Sequence, residues 1–150
     1  MAISRTGSGP FPFLEDNLGS IVDLVTIITK NKNRKDVIAT IRMNLESWMK
    51  NHHFEELREA ELDLAIIACV SPGRMKNQDI DNISKVVLDA LKKSEGDDRF
   101  LFYDDCQVIR LLVWKTQQEK LADYNTDTLT ISFRIHDPNK QMILVQPEKM

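Results

Sequence analysis

Apolar positions along the chain recur with two periods. In NRKDVIATIRMNLESWMKNHHF, Val37, Ile38, Ile41, Leu45, Trp48 and Met49 keep the three-to-four spacing of one helix face. LDLAIIACV is short, apolar and rich in β-branched residues, and Ser-Pro-Gly closes it, which predicts a buried strand. DIDNISKVVLDAL follows. At about 100° per residue, Ile80, Ile83, Val86, Val87, Ala90 and Leu91 share one arc, and Asp81, Lys85, Asp89 and Lys92 the opposite one. CQVIRLLVWK predicts a further strand. DTLTISFRIHD alternates, with Leu129, Ile131, Phe133 and Ile135 on one side and Thr130, Ser132, Arg134 and His136 on the other, as in a strand with one wet face. Asp-Pro-Asn-Lys predicts a turn that returns QMILVQ as a hairpin partner. SIVDLVTIIT fits both a strand and a short helix, because polar Ser20, Asp23, Thr26 and Thr29 recur every third residue.

The order helix, strand, helix, strand, strand predicts a single small α/β (α+β) domain: a mixed or antiparallel sheet with two main helices packed on it. Residues 1–19, rich in Gly, Pro and Ser, read as a flexible N-terminal arm docked by Phe11 and Phe13, leaving residues 20–150 as the domain. A chain of 150 residues with 42% hydrophobic and 29% charged positions has the size and balance to bury one core. No apolar run is long enough to span a bilayer, and no signal peptide is visible. Cys69 and Cys106 each fall in a strand-like segment, and two buried thiols without an export signal fit a reducing, cytoplasmic setting.

The net charge of −3 argues against strong non-specific nucleic-acid binding. The charge is uneven, however. Lys30, Lys32, Arg34, Lys35 and Arg42 face Asp36 alone, and an acidic stretch from Glu46 to Asp63 follows. A local basic patch can hold phosphate on an acidic protein, although a solvated helix face explains the same run.

Two acidic pairs carry the candidate chemistry. Asp79 and Asp81 open the second amphipathic helix. An acid at a helix start ordinarily caps free N–H groups, and Asp81 and Lys85 are spaced to pair on its surface. Asp104 and Asp105, however, stand directly before an apolar strand, where adjacent carboxylates are costly unless solvated or shared with a cation. Converging carboxylates make an all-oxygen site suited to Mg²⁺ or Mn²⁺, and phosphodiester hydrolysis is the usual work of such a site.

DIDNISKVVLDAL, a short connection and then FYDDCQV resemble the RusA family of Holliday-junction resolvases, endodeoxyribonucleases common in prophages. The resemblance covers about residues 62–115. It implies catalytic acids at Asp79, Asp81 and Asp105 and an essential lysine at Lys85, with Asp104 as an accessory acid. It also implies Mg²⁺ as cofactor, with Mn²⁺ able to substitute, a homodimer, and branched DNA as the substrate in recombination and repair. Asn82 and Gln107 match the family pattern as orienting residues and Asp89 as a structural one. Arg74 and Lys76 stand where family members carry an Arg-rich run, and with Lys32, Arg34 and Lys35 they form the candidate DNA-binding set. A related nuclease for flaps or forks, or a non-catalytic DNA-binding or assembly protein of the same fold, are the alternatives.

Among other features, His52 and Glu56 have the spacing of a metal pair but read better as a frayed helix end. Asp97 and Asp98 read as a solvated turn, and Trp48 and Trp114 as core.

Overall fold

The computed structural model describes residues 2–4, 13–23, 34–77, 79–117 and 127–145. Two helices, α1 (Arg34–Asn51) and α4 (Ile80–Leu91), lie on one face of a five-stranded sheet. The sheet runs in the order β1 (Ala2–Ser4), β3 (Gly19–Asp23), β6 (Thr128–Ile135), β4 (Leu62–Val70), β5 (Val108–Gln117). Its pairings are antiparallel except β4 with β5. Short helices α2 (Glu55–Glu59) and α3 (Pro72–Asn77) flank β4. A second, two-stranded sheet joins β2 (Phe13–Leu14) to β7 (Leu144–Val145). This is the mixed α/β single domain that the hydrophobic pattern predicts.

Strand alternation builds the core. On β4, Leu62, Leu64, Ile66, Ala68 and Val70 face the helices and meet Ile41, Leu45, Ile83, Val87 and Leu91. Ala65 and Ile67 join Leu14, Leu112, Met142 and Leu144 in a second cluster. Trp48 is buried in the main core, edge-on to Phe133 and stacked on His52, so His52 has a packing role.

Several sequence expectations are corrected. Within residues 1–19, β1 pairs with β3 and β2 with β7, and Phe13 is buried as its docking role expects; Phe11 and residues 24–33 lie outside the described residues. The ambiguous segment begins as strand β3. β6 has no wet face, because Thr128, Thr130, Ser132 and Arg134 on its polar side are all buried, although the Thr128 hydroxyl finds no hydrogen-bond partner among the described residues. Ser132 Oγ accepts from the Leu14 backbone N–H at 3.1 Å and bonds Ser20 Oγ at 3.0 Å. β7 returns to β2 rather than to β6. Cys106 is exposed in a turn, while Cys69 is half-buried in β4. Trp114 and Ile80 are exposed rather than core. No helix among the described residues is long and apolar enough to cross a membrane.

Asp63, fully buried on β4, is the charged centre of the sheet. Arg110 donates Nε to its Oδ1 at 2.9 Å and Nη2 to its Oδ2 at 2.6 Å. Arg134 Nε donates to Oδ2 at 3.0 Å, and His136 Nδ1 lies 2.8 Å from Oδ1. Burial pushes the carboxyl pKa up, but hydrogen bonds from Arg110, His136 and Arg134 outweigh it and hold it below the usual value. The two arginines also reach the loops. Arg134 donates to the Glu15 and Gln141 carbonyls, and Arg110 to those of Asp137 and Lys140.

Two outcomes follow from this packing. A Cβ on Gly19 would lie 2.4 Å from the Trp48 indole nitrogen, so Gly19→Ala should cost about 1–3 kcal/mol in chemical denaturation. Asp63→Asn leaves the buried Arg134 and the half-buried Arg110 uncompensated and should cost about 3–5 kcal/mol. Because the Asp63 pKa is lowered on folding, its contribution is complete above the unfolded value of about 3.9 and is lost as pH falls through the folded one. A urea-midpoint series from about pH 5 down to about pH 2 should therefore fall more steeply for wild type than for Asp63→Asn.

Candidate active site

The predicted site residues sit on the β4–α3–α4–β5 connection. β4 delivers the chain to α3, α4 returns along the sheet, and β5 then runs parallel to β4, with Val108 beside Leu62 and Gln117 beside Val70. This is the crossover that a parallel pair requires. It places Asp79 and Asp81 at the end of the sheet where β4 finishes. Asp104 and Asp105, which precede β5, lie at the opposite end, where β4 begins.

Asp79 occupies the N-cap position of α4 in extended conformation, yet its side chain makes no capping hydrogen bond. Asp81 is exposed in the first turn, and Lys85 is exposed one turn later. Among the described residues none of these three side chains is in an ion pair, so the surface pairing of Asp81 with Lys85 is not formed. Asn82 is half-buried and forms no side-chain hydrogen bond among them.

The second acidic pair is built differently. Asp104 caps a short 3₁₀ turn (Asp105–Gln107), accepting from the Cys106 N–H at 3.1 Å. Gln107 completes a capping box, its Oε1 accepting from the Asp104 N–H at 3.1 Å and the Tyr103 N–H at 2.8 Å. Its Nε2 donates to the Arg58 and Ala60 carbonyls, tying the turn to the end of α2 and the residue that follows it. Asp105 is left exposed at the apex, with Lys92 Nζ at 3.6 Å from its Oδ2. Asp104 thus has a structural task, and Asp105 is the carboxylate that the turn presents. The signal for this was in the sequence: an acid followed three residues later by glutamine is a capping-box spacing.

The two acidic pairs do not meet within one chain. The twelve residues of α4 rise about 18 Å between them. Among the described residues no group of three or more His, Cys, Asp or Glu side chains is gathered closely enough to hold a metal ion. Carboxylate oxygens are the donors that hard cations prefer, but one chain holds these carboxylates in two separated pairs.

The basic run is partly spent inside the fold. Arg34 pairs with Asp89. Arg42 donates to the Asp89 and Ala90 carbonyls at the α4 C-terminus, where a cation suits the helix dipole. Arg42 also approaches Asp97, whose carboxyl the side chain and backbone N–H of Arg99 hold down at about 2. The Asp97 turn is therefore an ion-paired anchor, not a solvated loop. Lys35 and Lys76 are exposed. Lys30, Lys32 and the Arg74 side chain lie outside the described residues. A shallow depression of about 370 Å³, lined in part by Asp16, Arg134, His136 and Lys140, includes none of the acids of the two pairs.

A family profile for endodeoxyribonuclease RusA matches residues 22–124, more than half of the chain and all of the β4–α4–β5 unit. The chain belongs to the RusA family of endodeoxyribonucleases, a family of Holliday-junction resolvases that act on branched DNA. No curated protein matches it.

The capping geometry separates the two pairs experimentally. Asp104→Ala should cost about 1 kcal/mol through loss of its cap. Asp79→Asn, which breaks no cap bond, should leave the melting temperature unchanged within about 1 °C. Thermal unfolding of the two variants side by side measures the difference.

Proposed function

We propose that this chain is a Mg²⁺-dependent endonuclease that nicks branched DNA, four-way junctions above all, and that its working form is a two-fold homodimer. The observation that carries this reading is the presentation of Asp79, Asp81 and Lys85, exposed and without ion-pair partners among the described residues, at one end of α4 inside the family-matched segment. Three charged side chains left exposed side by side contribute little to folding, and they suit a cation and a phosphate.

The separation of the acids supports the dimer. Among the described residues the outer edge of β5 has no partner strand, and it carries exposed Ile109, Leu111 and Trp114. Antiparallel pairing of two such edges about a two-fold axis would bring the start of one β5 to the finish of the other. The finish of β5 lies beside the end of β4 and beneath α3, where Lys115 Nζ donates to the Met75 carbonyl. Asp105 of one copy would then approach Asp79 and Asp81 of the other, and two equivalent ligand sets would result. A four-way junction has approximate two-fold symmetry and is resolved by a nick in each of two strands, which such a pair of sites suits.

In this reading Asp79, Asp81 and Asp105 hold the cation, with Asp104 fixing the turn beside them. The cation, when bound, activates water and neutralises phosphate charge. Lys85 places a positive charge one helical turn from Asp81, suited to stabilising the oxyanion that builds up at phosphorus. Gln107 orients the Asp105 turn. Lys35 and Lys76, as exposed cations, would contact backbone phosphates and give a salt-dependent, sequence-independent share of the affinity.

The pure protein should nick a synthetic four-way junction in Mg²⁺, with Mn²⁺ substituting, and should nick flap and fork substrates more slowly. Absence of nicking on every substrate in the panel would defeat the reading. Lys85→Met should lose about 100-fold or more in rate. Asp81→Asn and Asp105→Asn should each be inactive alone. Mixed together they should regain nicking, because each mixed dimer holds one site with both acids intact and one with both replaced. A mixture as inactive as either variant would show that the acids do not come from different copies.

A further inference from the structure

We propose that Tyr103 is a stacking platform for a base of the DNA strand held at the neighbouring Asp105 turn, an inference that rests on the nuclease reading above. Tyr103 is the residue immediately before the Asp104–Asp105 pair, and 47% of it is exposed. Its ring leans on Phe100, with centroids 5.1 Å apart and planes at 55°. Phe100 is buried, with the Arg58 guanidinium 3.6 Å and the Lys93 ammonium 4.7 Å from its ring centroid. Arg58 is itself fixed by donating to the Phe100 and Asp98 carbonyls. The Tyr103 backbone N–H is held by Gln107 Oε1, the same oxygen that shapes the acidic turn. The ring is therefore supported through Phe100 and anchored at its backbone, and its hydroxyl makes no hydrogen bond among the described residues.

A rigid exposed aromatic is costly to leave in water and loses little entropy when covered. Every base offers a π-face, so the contact is tolerant of sequence. A branched substrate exposes base faces at its branch point, which a continuous duplex does not. Lys93, beside the same aromatic pair, supplies a cation for a flanking phosphate. One glutamine thus couples the orientation of the base platform to that of the Asp105 carboxylate.

The test uses the full chain and a synthetic four-way junction carrying 2-aminopurine at the branch point, with binding measured in EDTA. Tyr103→Phe should bind and quench within about 2-fold of wild type, whereas Tyr103→Leu and Tyr103→Ala should bind about 10-fold more weakly and lose the quenching. Melting temperature and sedimentation should be unchanged in all three variants. Binding and quenching by Tyr103→Ala equal to wild type would overturn the platform, as would dissociation of a wild-type dimer on Tyr103→Ala, which would place the ring in a subunit interface. A wild-type protein that fails to bind the junction overturns it as well. Tyr103-dependent quenching by a wild type that never nicks in Mg²⁺ would uphold the platform and defeat the nuclease reading alone.

Discussion

Asp63 sits on β4, between β5 and β6, without solvent contact and meets Arg110 from β5 and Arg134 and His136 from the β6 side. A buried charge of this kind tolerates no slip, since moving either neighbour by one residue would turn its arginine to the opposite face of the sheet and strand the carboxylate. The register shift between Leu62 and Asp63 on β4 shows the adjustment, with Ile109 as the extra residue on β5 before Arg110 pairs with Asp63. The position of β5 along β4 is therefore set by electrostatics as well as by packing. The acidic turn immediately before β5 inherits that position.

The parallel pairing of β4 and β5 then dictates the geography of the acids. A helix that joins parallel strands must run back along the sheet, so its first turn and the residues after its last turn stand at opposite ends. Arg34 and Arg42 secure the far end of α4 through Asp89 and the Asp89 and Ala90 carbonyls, while its near end is left open with Asp79, Asp81 and Lys85. The fold thus uses its cations on the end of the helix that needs holding and leaves charged groups exposed at the other.

Local elements were legible in the sequence where one side of a segment had to be apolar. β4 has the bounds that LDLAIIACV predicts, and α1 and α4 bury most of their predicted faces. What period-two alternation cannot report is what covers the polar side. In β6 the alternating residues Thr130, Ser132 and Arg134 looked solvated and are buried, because Leu14 and Glu15 arrive from the far end of the chain, and Gln141 folds back from just beyond the strand, to pair with Ser132 and Arg134. The same long-range pairing took β7 to β2. A carboxylate inside an apolar strand, Asp63, is the sign in the sequence of a buried charge centre. The acidic motifs gave the family, and their order along the chain gave no hint that the fold would hold them apart. Asp79 shows the limit of reasoning from type and position, for it stands where a cap belongs and forms no cap bond.

The length of α4 has a kinetic corollary. If a complete ligand set requires the near end of one copy and the far end of another, a solitary chain is chemically silent. Turnover would then rise with the square of chain concentration until pairing saturates. An endonuclease that cuts DNA at the wrong place is dangerous, and such a dependence would confine cutting to moments when the protein is abundant or already gathered on one branch point.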